Sequence, residues 1–166
     1  MKGVLSVIIC FVLLASCLKK QEFPNEPQIT LKSLQIVADT AFLVLGFTDG
    51  DGNFGLRQSD TTGVFAQCIN KTNLYCEYYE LQNGNWQHII IDACDEPNDS
   101  DVPYHYRIPF AEPSGQNKVQ MGEIEVKIAN WYLPSEQDTV RFQIQIADQS
   151  LNRSNVVVTQ SLVKPS

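Results

Sequence analysis

Two short stretches hold oxygen-bearing side chains on alternate residues. The first is DGDGN, with Asp49, Asp51 and Asn53; the second is DQSLN, with Asp148, Ser150 and Asn152. Carboxylate and amide oxygens at that spacing, turned inward by a tight loop, suit a hard cation, since calcium takes six to eight oxygens at about 2.3–2.6 Å. Gly50 and Gly52 give the first stretch the backbone freedom for such a turn. Asp, Asn and Gly also make ordinary turns and cap strand ends. Both readings stand at the level of sequence.

The elements that must position these residues read as strands. Apolar and polar residues alternate over 29–37, 40–48, 74–81, 86–91, 104–110, 119–128, 139–147 and 155–163, the period of a half-buried strand. Asn83-Gly84 between two such runs is a hairpin signal, because both turn residues tolerate positive φ. Pro109 makes its run an edge strand or ends it, and Gly46 marks a bulge or a close approach. No helical periodicity approaches a dozen residues. About eight strands with short connections predict an all-β fold, an antiparallel immunoglobulin-like sandwich over 29–164, with a closed barrel as the alternative. Trp86 and Trp131 read as core or rim packing.

DTAFLVLGFTDGDGN (39–53) lies over DTVRFQIQIADQSLN (138–152): Asp-Thr, an alternating strand, then an aspartate ten residues after the first. In such a sandwich the second and penultimate strands face each other from opposite sheets. Their exits then meet at one pole and bring Asp49, Asp51, Asn53, Asp148 and Asn152 together.

DGDGN also resembles the opening of EF-hand and dockerin calcium loops, with Asp60 where the last ligand of such a loop falls. It departs from them at Phe54, where a glycine is usual, in having aspartate rather than glutamate at Asp60, and in lacking flanking helices. A cadherin-like site between sandwich loops is the nearer analogy. The expected metal set is Asp49, Asp51, Asn53, Asp60, Asp148 and Asn152, with calcium as the ion.

The N-terminus answers a separate question. Lys2 is followed by an uncharged, mostly apolar run to Ser16, too short to span a bilayer as a helix and patterned as a secretory signal. Its end, Leu14-Ala15-Ser16-Cys17, resembles the lipobox of bacterial lipoproteins. The resemblance implies cleavage before Cys17 and lipidation of its sulfur. Residues 1–16 are then a signal peptide and 17–28 (CLKKQEFPNEPQ) the lipidated cysteine and a polar tether. Leu18 is not an acid, so the inner-membrane retention signal of some lipoproteins is absent. The outer membrane is the expected location, on its periplasmic side or at the cell surface.

Acids outnumber bases, 19 to 12, for a formal charge of -7. Such a domain repels nucleic acid. Of five cysteines, Cys10 leaves with the signal and Cys17 carries lipid. Cys68, Cys76 and Cys94 remain, in a compartment that permits disulfides. Three pairings are open, and Cys76 with Cys94 is preferred because a hairpin separates them. The acidic run 92–101 (DACDEPNDSD) reads as a solvated loop or a second cation site. His88 and His105 fall in strand-like runs without H-E-x-x-H or G-x-S-x-G around them, so no enzyme is expected. Three Asp-Thr sites, at Thr40, Thr61 and Thr139, resemble the O-glycosylation motif of Bacteroidota.

The body as a whole, through FTDGDGNFG, YRIPF and ADQSLNRSNVV, is similar to small Bacteroidota lipoproteins with an immunoglobulin-like domain of unknown function. That resemblance implies location and fold. The expectation is a non-catalytic binding or scaffold module held to the outer membrane by lipid, with a glycan or an envelope protein as its partner. The alternatives are a purely structural envelope protein or a surface hydrolase. Tyr75, Tyr78, Tyr79, Tyr104 and Tyr106 are the candidates for an exposed aromatic patch.

Overall fold

The computed structural model describes residues 23–90, 104–113 and 118–165. The signal sequence, Cys17, Cys94 and the acidic run 92–101 lie outside the described residues. Among the described residues no helix is long and apolar enough to cross a membrane.

Alternation decides the architecture. Nine strands form two antiparallel sheets: β1 (Gln28–Val37), β2 (Thr40–Asp49), β3 (Leu74–Gln82), β4 (Asn85–His88), β5 (His105–Tyr106), β6 (Gln120–Ala129), β7 (Thr139–Ile146), β8 (Val157–Val158) and β9 (Leu162–Val163). The smaller sheet has the order β1-β2-β6, the larger β4-β3-β7-β8, with β5 also on β3 and β9 also on β7. The chain is an all-β sandwich, as the period-two pattern predicts. The positions 41, 43 and 45 of β2, 126 and 128 of β6, 74, 76 and 78 of β3 and 140, 142, 144 and 146 of β7 are buried. They form one core between the sheets, joined by Trp131, Phe54 and Leu162.

Local chemistry explains most departures. Asn83 and Gly84 turn the β3–β4 hairpin at φ of 50° and 76°, with Gln82 opposite Asn85. The irregularity near Gly46 falls on the partner strand: the β1–β2 register shifts between Leu31 and Ser33. Gly46 leaves room for the bulged Lys32, whose Cε would lie 2.6 Å from a Cβ at that position. Pro109 stops the β5 run early. The last expected strand is two short pieces. Gln143 opposes Val158 and Thr139 opposes Val163, so the closing segment carries one more residue than β7 over this stretch. Thr159 takes up the slack, its Oγ1 accepting from Phe142 N at 3.0 Å. Ahead of β1, Pro27 is buried and Pro24 O accepts from Gly50 N at 2.9 Å.

The expected Cys76–Cys94 bridge is corrected. Cys76 is a free thiol. It faces inward on β3, 1 % exposed, because it shares a face with Leu74 and Tyr78. Burial pushes its pKa far up, with the Glu77 charge adding to the effect. Cys68 is the described cysteine that is disulfide-bonded, and its partner lies outside the described residues.

A buried thiol in this environment is inert. Alkylation of the native protein should leave Cys76 unlabelled. After denaturation without reductant, peptide mapping should find the label on Cys76 and none on Cys68.

Candidate metal centre

β2 and β7 lie in opposite sheets, and both deliver an aspartate to the same pole. Asp49, the last residue of β2, is at an inward position and 0 % exposed; Asp148, two residues past β7, is also 0 % exposed. With Asp51 they bring one carboxylate oxygen each to within 4.8 Å of one another. The convergence expected from the internal repeat is present.

Each loop is built the same way. Asn53 N donates to Asp49 Oδ2 at 3.0 Å, and Asn152 N donates to Asp148 Oδ1 at 2.8 Å. An aspartate thus caps the backbone four residues on in both repeats. Gly52, at φ +75°, lets the first loop close; Leu151, at φ +64°, performs the same turn in the second. Gln149 N donates to Asn53 O at 3.2 Å, tying loop to loop.

The side chains then diverge. Asn53 Nδ2 donates to Asp51 Oδ2 at 3.1 Å and to Ser150 Oγ at 3.0 Å, which uses both its hydrogens and fixes Oδ1. Asn152 Nδ2 donates to Asp148 Oδ2 at 2.8 Å, so Asn152 orients Asp148 and stands behind it. Three buried oxygens have no hydrogen-bond partner: Asp49 Oδ1, Asp51 Oδ1 and Asn53 Oδ1. Buried polar atoms are paired in more than nine cases in ten. Three orphaned oxygens on one loop, beside a third carboxylate, fit a hard cation with oxygen ligands.

Electrostatics agrees with the geometry. The pKa of Asp49 is raised to about 6, first by burial and then by the charge of Asp51, with Asp148 adding to it; the N–H groups of Asn53 and Gly52 pull the other way.

Asp60 does not join the cluster. Its Oδ2 accepts from Arg57 N at 2.7 Å, closing its own turn. The chain leaves the pole at Gly55, φ +88°, and Leu56 pairs with Ile108 and Phe110 through backbone bonds of 2.9 and 3.0 Å. An aspartate at EF-hand spacing does not return to the cation without the EF-hand's helices. Gln120 is a residue that sequence reasoning missed. Opposite Asp49 in β6, it accepts from Phe54 N at 2.9 Å and donates to Ala111 O, pinning the chain beyond the loop. A glutamine in an alternating strand carries no signal of that role.

The other candidates sort by face. Tyr78, Tyr104 and Tyr106 pack in or against the core, leaving Tyr75 and Tyr79 on the outer side of the larger sheet. His88 and His105 both pair with Glu77 there, at 2.9 and 3.3 Å. Thr40 and Thr139 donate to the preceding aspartates at 3.1 and 2.8 Å, as strand-entry junctions do.

Comparison with known protein families, with curated proteins and with solved structures finds no match.

The raised Asp49 pKa makes a signed prediction. In cation-free buffer the unfolded chain ionises this carboxyl from about pH 4, whereas the native loop holds its proton up to about pH 6. The native state binds more protons over that window, so its stability falls as pH rises through it. Glu77 and Glu80 are shifted the opposite way; their contributions are lost only at lower pH and cancel between variants. Urea unfolding should show the wild type losing stability against Asp49→Asn from about pH 4 to 6, and a constant difference above.

Proposed function

We propose that this chain is a non-catalytic binding or scaffold module, tethered by lipid to the outer membrane and stiffened by calcium at the pole where β2 and β7 end. The observation behind this reading is the set of orphaned buried oxygens on Asp49, Asp51 and Asn53, in a cluster where Asp49, Asp51 and Asp148 each bring a carboxylate oxygen within 4.8 Å of the others. Three carboxylates crowded together without a basic partner need positive charge from elsewhere. The donor set is all oxygen, which suits calcium, magnesium or manganese and not the softer metals. A mix of carboxylate and amide oxygens from two loops, without the strict octahedron that magnesium demands, favours calcium. Asp49, Asp51, Asn53 and Asp148 would hold the ion, and Asn152 and Ser150 orient them. The ion offsets two of the three negative charges and cross-links the loops of the two sheets; no reaction is assigned to it.

The tether supports the same arrangement. Pro24 is bonded to Gly50, inside the cation loop. Pro24 is seven residue steps from Cys17, at no more than about 3.6 Å each. A lipid on Cys17 would therefore keep this pole within about 25 Å of the membrane surface.

Calcium at one hundred times its dissociation constant should add about 2.7 kcal/mol, which for a domain of this size is a rise of about 5–10 °C in Tm. Chelator should reverse it, and Asp148→Asn should remove most of it. An unchanged melt in millimolar calcium overturns the cation. The tether is tested separately: Cys17→Ser should move the protein from the membrane fraction to the soluble one.

A further inference from the structure

The outer face of the larger sheet is built unlike the rest of this acidic chain. Arg141, on β7, stands with its guanidinium carbon 4.3 Å from the ring centre of Trp86 and 5.6 Å from that of Tyr79. Arg153 lies 4.5 Å over the ring of Tyr75, with Nη1 donating to Gln145 Oε1 at 3.1 Å. Neither arginine has a carboxylate partner among the described residues. The nearby acid on β3, Glu77, is taken by His88 and His105, whose Nε2 atoms lie 2.9 and 3.3 Å from its two oxygens. Two unneutralised guanidinium groups on one face of a protein of formal charge -7 are a local reversal of sign.

We propose that this face docks an extended acidic polysaccharide, gripped by Arg141 and Arg153. Tyr75 and Tyr79, under the two arginines, are four residues apart on β3, so the guanidinium groups stand about 13 Å apart at about 3.3 Å per residue. Gln143 and the Glu77–histidine group lie between them. A guanidinium over an aromatic ring keeps N–H donors available for a carboxylate. The Gln143 amide and the His88 imidazole between the arginines suit hydroxyls. A cavity of about 500 Å³ opens elsewhere, between Phe47, Phe54 and Met121, and no described cavity is lined by Arg141, Arg153, Tyr79 or Trp86. Peptide recognition uses pockets for side-chain anchors. A sugar chain, whose contacts are ring faces and ring substituents, needs none. This deepens the reading of the chain as a binding module, and it shares no residue with the cation cluster.

The test is affinity electrophoresis of the full mature chain through gels holding hyaluronate (a uronic acid polymer), dextran (a neutral glucan) or polyglutamate, each with calcium and with chelator. Hyaluronate should retard the protein, dextran should not, and polyglutamate should retard it less. Arg141→Gln and Arg153→Gln should each weaken hyaluronate binding about tenfold or more. Arg141→Lys keeps the charge and removes the planar stack, so it should also weaken binding; it is the second variant should Arg141→Gln fail to fold. No retardation by hyaluronate, equal retardation by polyglutamate, or indifference to all three substitutions overturns the proposal. Binding that requires calcium and survives Arg153→Gln places the contact at the pole and overturns it too. None of these outcomes alters the calcium melt, so failure here is distinguishable from failure of the cation.

Discussion

Two carboxylates from opposite sheets, both sealed from water, meet at one end of this sandwich. Asp49 and Asp148 are each 0 % exposed and share their space with Asp51, oxygens within 4.8 Å. Two unit charges at such a separation repel by about 3 kcal/mol even at an effective dielectric of about 20. The pole is stable as drawn only if positive charge enters it, as a proton or as a cation. The raised pKa of Asp49 is the proton's version of that answer. Above that pKa the proton is no longer held, and the three carboxylates face one another as charges. Asp49 ends β2 and Asp148 follows β7 by two residues, so the contact joins the inner strands of the two sheets.

The internal repeat is the reason two such residues arrive together. Both copies enter their strand through an Asp-Thr junction in which the hydroxyl bonds back to the aspartate. Both leave it through a loop whose first aspartate caps the fifth residue's N–H. Equal spacing of ten residues between the entry and exit aspartates brings both exits to the same pole. The copies differ where the work differs. Asn152 turns back on Asp148, while Asn53 reaches across to Ser150, and it is the first loop that is left with unsatisfied oxygens. One repeat offers most of the ligands and the other supplies a braced carboxylate.

This much was legible in the sequence because it depends on local periods. Period-two alternation located β1, β2, β3, β6 and β7 to within a residue and overran β4 and β5, and Asn83-Gly84 located a hairpin. Equal spacing in the two repeats located the shared pole. The errors come from long-range packing, which no period encodes. Asp60 keeps EF-hand spacing, but Gly55 turns the chain toward Ile108 before it can return. Cys76 and Cys94 flank a hairpin, but the phase of β3 turns Cys76 into the core beside Leu74 and Tyr78. The tyrosines split in the same way, with strand phase sending Tyr78 inward and Tyr75 and Tyr79 outward. Gln120 and Arg141 matter only through neighbours distant in sequence.

The far end of the same strands shows what the chain does when it means to neutralise a buried acid by itself. Glu80 pairs with Val140 at the opposite end of β7 and is nearly as buried as Asp49. Lys164 reaches it from beyond β9, Nζ to Oε1 at 3.2 Å, both side chains under a tenth exposed. Ser135 Oγ donates to the same oxygen at 2.5 Å, and Lys164 Nζ also donates to Leu133 O at 2.9 Å. Burial works against ionisation there, but the hydrogen bonds from Ser135 and Lys164 win and hold the Glu80 pKa below its ordinary value. That end is complete: one carboxylate, one ammonium, and partners for the remaining donors, which is the condition under which a buried ion pair is tolerated. The Asp49 end has three carboxylates, no ion pair to a lysine or arginine among the described residues, and oxygens without donors. The same strands thus carry a buried acid answered by a lysine at one pole and a cluster of acids without one at the other.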